Sequence, residues 1–171
     1  MVDKVNADYM RVYVPLGSEL LSAEGHTYEF PESPLDYNAL GFKKDVTVTA
    51  LEASEHIDAE SGTRIGEEAG KTVFGNWVYV SPQEEVTVEY RYKLPFKVVP
   101  GGQGEEGSGY SLLVQKQPGV TETKIETELD YPETYQSIWQ TGRNLVPYEN
   151  AFRSEGMLLT DTFIGVAFDN K

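Results

Sequence analysis

Alternation of apolar and polar side chains is the feature that most constrains the fold of this chain. In residues 84–96, EEVTVEYRYKLPF, nearly every second residue is apolar. Successive side chains of a β-strand point to opposite faces of the sheet, so this period of two predicts a half-buried antiparallel strand. Pro95 ends the strand because it has no N–H to donate. The residues predicted to face inward are Val86, Val88, Tyr90, Tyr92 and Leu94.

The same period recurs along the chain and predicts an all-β fold. The further predicted strands are 9–14, 46–52, a central strand at 71–80 and one or two strands within 157–168, with a hairpin of 110–117 and 121–130 around Pro118-Gly119. Short helical turns are predicted at 34–42 and 132–142. About eight to ten short strands separated by turns predict an antiparallel, immunoglobulin-like β-sandwich with helical turns at its edges.

Length and composition predict a single domain. A chain of 171 residues is long enough for one sizeable core. Residues 1–8 are predicted to be a flexible N-terminal segment and 9–171 to be the domain. Within the domain, the Gly-rich acidic stretch 99–109 is predicted to be a surface loop. The chain contains no cysteine, which excludes disulfides and thiolate metal sites.

Charge excludes several classes of partner. With 28 acidic and 14 basic residues, the formal net charge is −14. Such a chain repels nucleic acid and anionic lipid, so neither is expected as a partner. No apolar run of about 18 residues is present, so no membrane insertion of this segment is expected. The first residues lack the apolar stretch of a signal peptide, which leaves a cytoplasmic protein or a piece of a longer exported chain.

Residues 66–72, GEEAGKT, are close to a phosphate-binding loop but do not fit its mechanism. The spacing between Gly66 and Gly70 is one residue too short, and two glutamates lie where phosphate would bind. The loop leads into VFGNWVYV, which predicts a strand rather than the helix that phosphate binding requires. We therefore interpret Lys71 as a strand residue and Gly70 as a turn residue with positive φ.

Three stretches of the sequence resemble a known group of domains. They are YMRVYVPLGSELLSAEG (9–25), ESGTRIGEEAGKTVFGNWVYVSPQEEVTVEYRYKLPF (60–96) and YSLLVQKQPG (110–119). Together they resemble the C-terminal β-domain, of unknown function, in large membrane-anchored surface proteins of Gram-positive and candidate-phyla bacteria. The resemblance covers about residues 9–130 and implies an extracytoplasmic, non-catalytic domain excised from a membrane-anchored parent. It carries no catalytic residues over to this chain.

The acidic residues allow a weak calcium site as an alternative, although a solvated acidic loop is the favoured interpretation. Hard cations prefer several carboxylate oxygens, and the candidates are Asp58, Glu60, Glu67 and Glu68. No cofactor is otherwise expected. His26 and His56 are far apart and lie in no zinc motif. A Ser-His-Asp triad is not signalled, and a hydrolase with an unrecognised site remains the least favoured alternative.

Aromatic residues concentrate in the segment 131–150 and suggest a binding surface. Trp77 is expected in the core, whereas Trp139 lies among polar residues and is the better candidate for an exposed ring. The candidate ligand-binding residues are Trp139, Tyr131, Tyr135, Tyr148 and Arg143. The alternative, which the sequence favours, is that these aromatics hold a long connection against the sheet.

These observations predict a non-catalytic structural or interaction domain of a larger cell-envelope protein at the bacterial cell surface. The alternative is a carbohydrate- or protein-binding module that uses 131–150, with an envelope protein or a glycan as its partner. The sequence does not predict an oligomeric state.

Overall fold

The computed structural model describes residues 5–28, 35–101, 109–119 and 121–171, and it confirms an all-β, antiparallel, sandwich-like fold. The described part of the chain contains twelve strands and one helix, more strands than the eight to ten expected. The elements are β1 Asn6–Pro15, β2 Glu19–Glu24, α1 Val46–Ser54, β3 His56–Ile57, β4 Arg64–Glu68, β5 Lys71–Val80, β6 Glu89–Lys93, β7 Gly109–Val114, β8 Lys124–Asp130, β9 Tyr135–Gly142, β10 Val146–Tyr148, β11 Ala151–Met157 and β12 Thr162–Asn170.

The chain divides into two compact units, residues 1–96 and 97–171. The prediction of one domain over 9–171 is not decided by this division and stays a prediction, as does the immunoglobulin-like likeness. β1 begins at Asn6, so the last part of the segment predicted as flexible belongs to a strand, while residues 1–4 lie outside the described residues. Of the predicted loop 99–109, residues 102–108 also lie outside them.

The first unit contains a four-stranded sheet in the order β1-β5-β4-β3 and a two-stranded sheet of β2 and β6. β5 lies at the centre of the larger sheet, as its two-sided apolar sequence predicts, and most of its side chains are buried. Its even-numbered side chains face the smaller sheet, since the ring of Phe74 lies 6.4 Å from that of Tyr90 and 5.9 Å from that of Tyr92. The unit is therefore a small two-layer sandwich.

The alternation of inward and outward side chains in 84–96 is confirmed, but the hydrogen-bonded strand is shorter than predicted. Val86, Val88, Tyr90 and Leu94 are half-buried while their polar neighbours are exposed. The remaining residue of the predicted inward set, Tyr92, is 39% exposed, although its ring packs on Phe74. The hydrogen-bonded strand β6 covers only Glu89–Lys93, because only these residues find partners on β2.

The predicted strand at 46–52 is wrong, because these residues form helix α1. Asp45 caps the helix: its carboxylate accepts hydrogen bonds from the backbone N–H groups of Thr47 and Val48. No residue of α1 is buried. The β-branched residues that suggested a strand therefore have no sheet to pack against, and the local cap decides the conformation.

The second unit pairs two three-stranded sheets, β10-β11-β8 and β7-β12-β9. The hairpin predicted around Pro118-Gly119 is wrong, because β7 pairs with β12 while β8 pairs with β11 in the other sheet. The turn dipeptide therefore lies in a connection that crosses between sheets, where Gly119 has a φ of 85°.

The core of the second unit lies between its two sheets. Phe152 from β11 packs with Ile164, Val166 and Phe168 from β12, and Leu145 completes the cluster. Because these residues come from strands of both sheets, the unit is a second two-layer sandwich. Burial of large apolar side chains between the layers is what stabilises such a fold.

The helical turn predicted within 132–142 is also wrong, because strand β9 occupies most of this range. Its pairing with β12 shifts by one residue between Ala167 and Phe168, which leaves Ile138 as the extra residue of a β-bulge. Tyr135, Ile138 and Trp139 therefore do not form the apolar face of a helix, since Tyr135 is half-buried while Ile138 and Trp139 are exposed. Among the residues that the structure describes, no helix is long and apolar enough to span a bilayer.

Candidate functional site

The outer face of the sheet β7-β12-β9 carries exposed aromatic and apolar side chains. The inward residues of β12 fill the core, so its intervening residues, Phe163, Gly165 and Ala167, form the outer surface. Phe163 lies opposite Leu113 of β7, and both are about half exposed. On the other side of β12, Trp139 lies opposite Ala167 and is 55% exposed. We call Leu113, Phe163, Gly165 and Trp139 the Trp139 platform.

Gly165 allows the ring of Trp139 to lie against the sheet. A Cβ atom at this glycine would lie 3.0 Å from Cζ3 of Trp139 and 3.2 Å from the ring of Phe163. Any larger residue would therefore displace one of the two rings. Gly165 itself is buried while the indole is about half exposed, so one part of the ring covers the backbone and the rest is open to solvent.

A groove of about 550 Å³ adjoins the platform, and Trp139 is one of its walls. Tyr131 and Tyr135 contribute aromatic surface to it, and the core residue Phe152 lies beneath. The polar side chains that line it are Gln136, Ser137, Gln140, Glu149, Asn150 and Lys171. The groove thus combines aromatic rings with amide groups, each of which both donates and accepts hydrogen bonds.

The five predicted ligand-binding residues do not form one exposed cluster. Tyr131 and Tyr135 line the groove, but their rings also pack on Phe168 in the core, at 4.9 and 6.1 Å. Tyr148 lies on the other sheet, where the guanidinium of Arg153 sits 4.1 Å from its ring centre. Arg143 lines a separate cavity of about 150 Å³. Their role in ligand binding stays a prediction.

Sequence reasoning missed the part of the platform that comes from β7 and β12. Leu113 and Phe163 are neighbours only through strand pairing, which cannot be read from either segment alone. Gly165 did carry a signal, because a lone glycine in a strand often marks the close approach of another group.

The predicted cation ligands do not converge on one point, and two of them, Asp58 and Glu68, have local partners. Asp58 accepts hydrogen bonds from the backbone and hydroxyl of Ser61, and these bonds lower the pKa of its carboxyl group. Glu68 pairs with Arg11 and accepts from Tyr13, which likewise lowers its pKa. Across the described residues, no three His, Asp or Glu side chains are grouped in a way that would hold a metal ion. Glu60 and Glu67 are therefore not brought together with them, and calcium binding stays untested.

The buried residues Ser61 and His26 of the first unit lie near the half-buried Asp58, but their geometry is not that of a catalytic triad. His26 Nε2 donates to the backbone carbonyl of Ser61 at 2.7 Å, and the Ser61 hydroxyl donates to Asp58 at 2.7 Å. In a triad, the histidine nitrogen would bond the hydroxyl and the carboxylate would orient the histidine. The arrangement instead fixes the turn that precedes β4.

The near-match to a phosphate-binding loop is a turn between β4 and β5. Lys71 is the exposed first residue of β5, opposite Glu68, and Gly70 has a φ of 69°. The predicted strand position of Lys71 and the positive φ of Gly70 are confirmed. The turn is followed by a strand, so it has no helix N-terminus to receive a phosphate.

Comparison with known proteins finds no family model, no curated protein and no solved structure that matches the chain.

Proposed function

We propose that this chain is a non-catalytic interaction domain of a larger bacterial cell-envelope protein, exposed outside the cytoplasm. The observation that carries the proposal is the Trp139 platform. Exposed Trp and Phe side chains are enriched where proteins bind partners, and contiguous apolar surface on a soluble domain is costly unless it is used. On a chain with a net charge of −14, this surface consists of uncharged residues.

The location outside the cytoplasm rests on the resemblance of residues 9–130 to domains of membrane-anchored surface proteins. The negative charge supports partners other than nucleic acid, because like charges repel.

The non-catalytic part of the proposal is supported by the causes of the resolved pKa shifts among the carboxylates. Each lowered carboxylate pKa has a structural partner: Ser61 for Asp58, Arg11 for Glu68, the Ser81 backbone for Glu84 and Lys124 for Glu126. Catalytic carboxyl groups are usually shifted within a cleft by burial or by each other. The lowered pKa values of these four carboxyl groups are instead explained by ion pairs and by hydrogen bonds within turns.

The location can be tested with an antibody raised against the chain. We expect it to label intact cells of the source organism, and we expect external protease to remove the epitope while a cytoplasmic marker survives. An epitope that becomes accessible only after lysis would contradict the proposal.

Interaction can be tested by incubating the purified chain with isolated cell envelopes and measuring the fraction that sediments. We expect saturable binding that Trp139→Ala weakens and Val146→Ala preserves. Val146 is the control, since it is an apolar residue with the same exposed fraction as Trp139, 55%, on the opposite sheet of the same unit. Equal sedimentation of both variants and the wild type would count against the platform as the interaction surface.

A further inference from the structure

The Trp139 platform has the geometry of a ring-stacking surface. The indole rests on Gly165 and beside Phe163, with a contact distance that leaves no room for a Cβ atom beneath it. A side chain held in this way loses little additional conformational freedom when a second ring stacks on its open face. Binding on this face would therefore cost less entropy than binding to a freely rotating tryptophan.

The part of this face around Trp139 consists of uncharged side chains. Along β7 and β12, the outward positions there are occupied by small or apolar residues, and Thr141 of β9 adds one hydroxyl. These positions are Gly109, Ser111, Leu113, Trp139, Thr141, Phe163, Gly165 and Ala167. The same alternation places a carboxylate farther along β12, at Asp169, which lies opposite Gln136 and accepts a hydrogen bond from the backbone N–H of Asn170. Within a chain of net charge −14, an anionic ligand would be repelled from this face.

The groove that Trp139 lines also supplies hydrogen-bonding groups. Gln136, Gln140 and Asn150 provide amides that can each donate and accept, while Glu149 and Lys171 contribute opposite charges. The Nε2 group of Gln136 already donates to the Asn170 carbonyl at 3.0 Å, which fixes the orientation of this amide. Hydroxyl groups are the ligand atoms that such amides match, because a hydroxyl also donates and accepts.

We propose that Trp139 and the adjacent groove bind a neutral carbohydrate chain, with one sugar ring stacked on the indole and its hydroxyls bonded to the groove amides. A pyranose has an apolar C–H face and a rim of hydroxyls, which correspond to the ring and to the amides. An apolar peptide or a second copy of the chain would use the platform but leave the amides of the groove unmatched. The inference rests on the proposed function and names the chemical class of its partner.

The test uses the full chain and a panel of neutral oligosaccharides, namely β-1,4-linked glucose and N-acetylglucosamine hexamers, β-1,3-linked glucose hexamers and α-linked mannose oligomers, with polygalacturonate as the anionic comparison. Binding is followed by calorimetry and by indole fluorescence in a Trp77→Phe background, where Trp139 is the one remaining tryptophan. We expect saturable binding of at least one neutral oligomer, with a change in Trp139 emission, and none of polygalacturonate.

Two variants separate ring stacking from folding. Trp139→Ala should weaken binding about tenfold or more, which corresponds to loss of one good contact. Gly165→Ala keeps the tryptophan but forces its ring away from the sheet, so it should weaken binding to an intermediate degree. The matched control is Gly156→Ala, because a Cβ at Gly156 would lie at an ordinary 3.6 Å from the Asn144 amide. Circular dichroism should show that all three variants keep the β-fold.

Several outcomes would overturn the inference while leaving the proposed function intact if envelope binding persists. One is that no neutral oligosaccharide binds; another is that binding is unchanged in Trp139→Ala. A third is concentration-dependent self-association, measured by sedimentation, that Trp139→Ala abolishes, since the platform would then be an interface between copies. Preferential binding of polygalacturonate would also contradict it. Loss of envelope binding as well would reject the proposed function itself.

Discussion

The two units of the chain are both two-layer sandwiches, but they are filled in different ways. The second unit has an apolar core of Leu145, Phe152, Ile164, Val166 and Phe168. The buried polar residues of the described chain all lie in the first unit: Ser18, His26, Ser61, Thr63, Thr72 and Asn76. The first unit also buries apolar residues such as Val14, Val73 and Phe74, so the comparison teaches that one architecture can have an apolar interior in one case and a mixed apolar and hydrogen-bonded interior in the other.

This difference has consequences for stability. An apolar core loses transfer free energy and gains a cavity when a side chain is truncated. A polar interior contributes less per group, but removing one partner leaves another polar atom buried without a bond. The chain allows each unit to be followed separately, because Trp77 lies in the first unit and Trp139 in the second.

The largest effect is expected from truncating the centre of the apolar core. Phe152 is 1% exposed, so Phe152→Ala should lower the free energy of unfolding by about 3–5 kcal/mol. The control is Phe163→Ala in the same unit, where the ring is half exposed and the cost should be about 1 kcal/mol or less. Urea melts followed by Trp139 fluorescence measure both. Equal costs for the two variants would mean that the core is placed wrongly.

A smaller but more specific effect is expected in the polar interior. Asn76 is 1% exposed and accepts a hydrogen bond from the Tyr90 hydroxyl at 2.8 Å. Asn76→Ala and Tyr90→Phe should each cost about 1–3 kcal/mol, because each leaves the other group unpaired. Together they should cost less than the sum, with a coupling of about 0.5 kcal/mol or more. Additive costs in Trp77-monitored melts would show that the bond does not contribute, and the exposed Asn38→Ala serves as a neutral control.

The sequence predicts some secondary-structure elements of the two units correctly and others wrongly. Alternation correctly predicts β1, the central β5 and the all-β class, since these depend on local periodicity. It fails at α1, where the Asp45 cap decides, and at 110–130, where both strands pair with distant partners instead of with each other. Neither a cap that overrides β-branched residues nor a pairing of strands about 20 residues or more apart is visible in the local sequence pattern.

The same limit applies to the candidate site. The polar residues around Trp139 in the sequence predict an exposed ring, which sequence analysis gave as the alternative to packing against the sheet. The support of this ring was not predictable, because Gly165 and Phe163 come from β12 and reach it only through strand register and a bulge. Tyr131 and Tyr135 resemble Trp139 in sequence context, yet both contact Phe168 in the core. For Tyr135 the inward facing depends on the register of β9, whereas Tyr131 lies before that strand.

Alkaline pH should affect the first unit through three tyrosines, of which Tyr9 and Tyr90 are half-buried. Burial raises the pKa of Tyr90 to about 12 from 10.0, and burial also raises the pKa of Tyr9 and Tyr13. Above pH 10 the unfolded chain releases these protons while the folded chain retains them. The folded state then binds more protons, so the free energy of unfolding falls with rising pH. The contribution is complete below pH 10 and is lost toward about pH 12 for Tyr90.

Tyr90→Phe should therefore reduce the loss of stability between pH 10 and about 12, with Tyr9 and Tyr13 supplying the remaining slope. The measurement is a series of Trp77-monitored urea melts at closely spaced pH values for the variant and the wild type. Identical slopes would indicate that the Tyr90 hydroxyl is no better shielded in the folded state than in the unfolded chain. All three phenols belong to the first unit, so the comparison of the two units predicts a stronger alkaline response there.

The smallest effect on stability is expected from calcium. Adding it tests whether a bound cation stabilises the polar residues of the first unit. Asp58 is engaged by Ser61, and Glu68 by Arg11 and Tyr13, so cation binding would first have to break these contacts. A ligand that binds only the folded state raises its stability. We expect the melting temperature to be the same in millimolar calcium and in chelator, with magnesium at the same ionic strength as the control for screening. A rise in melting temperature that is specific to calcium and abolished in Asp58→Asn would contradict this expectation. It would show that a bound cation stabilises the first unit together with its hydrogen bonds. The two units would then differ in metal binding as well as in packing.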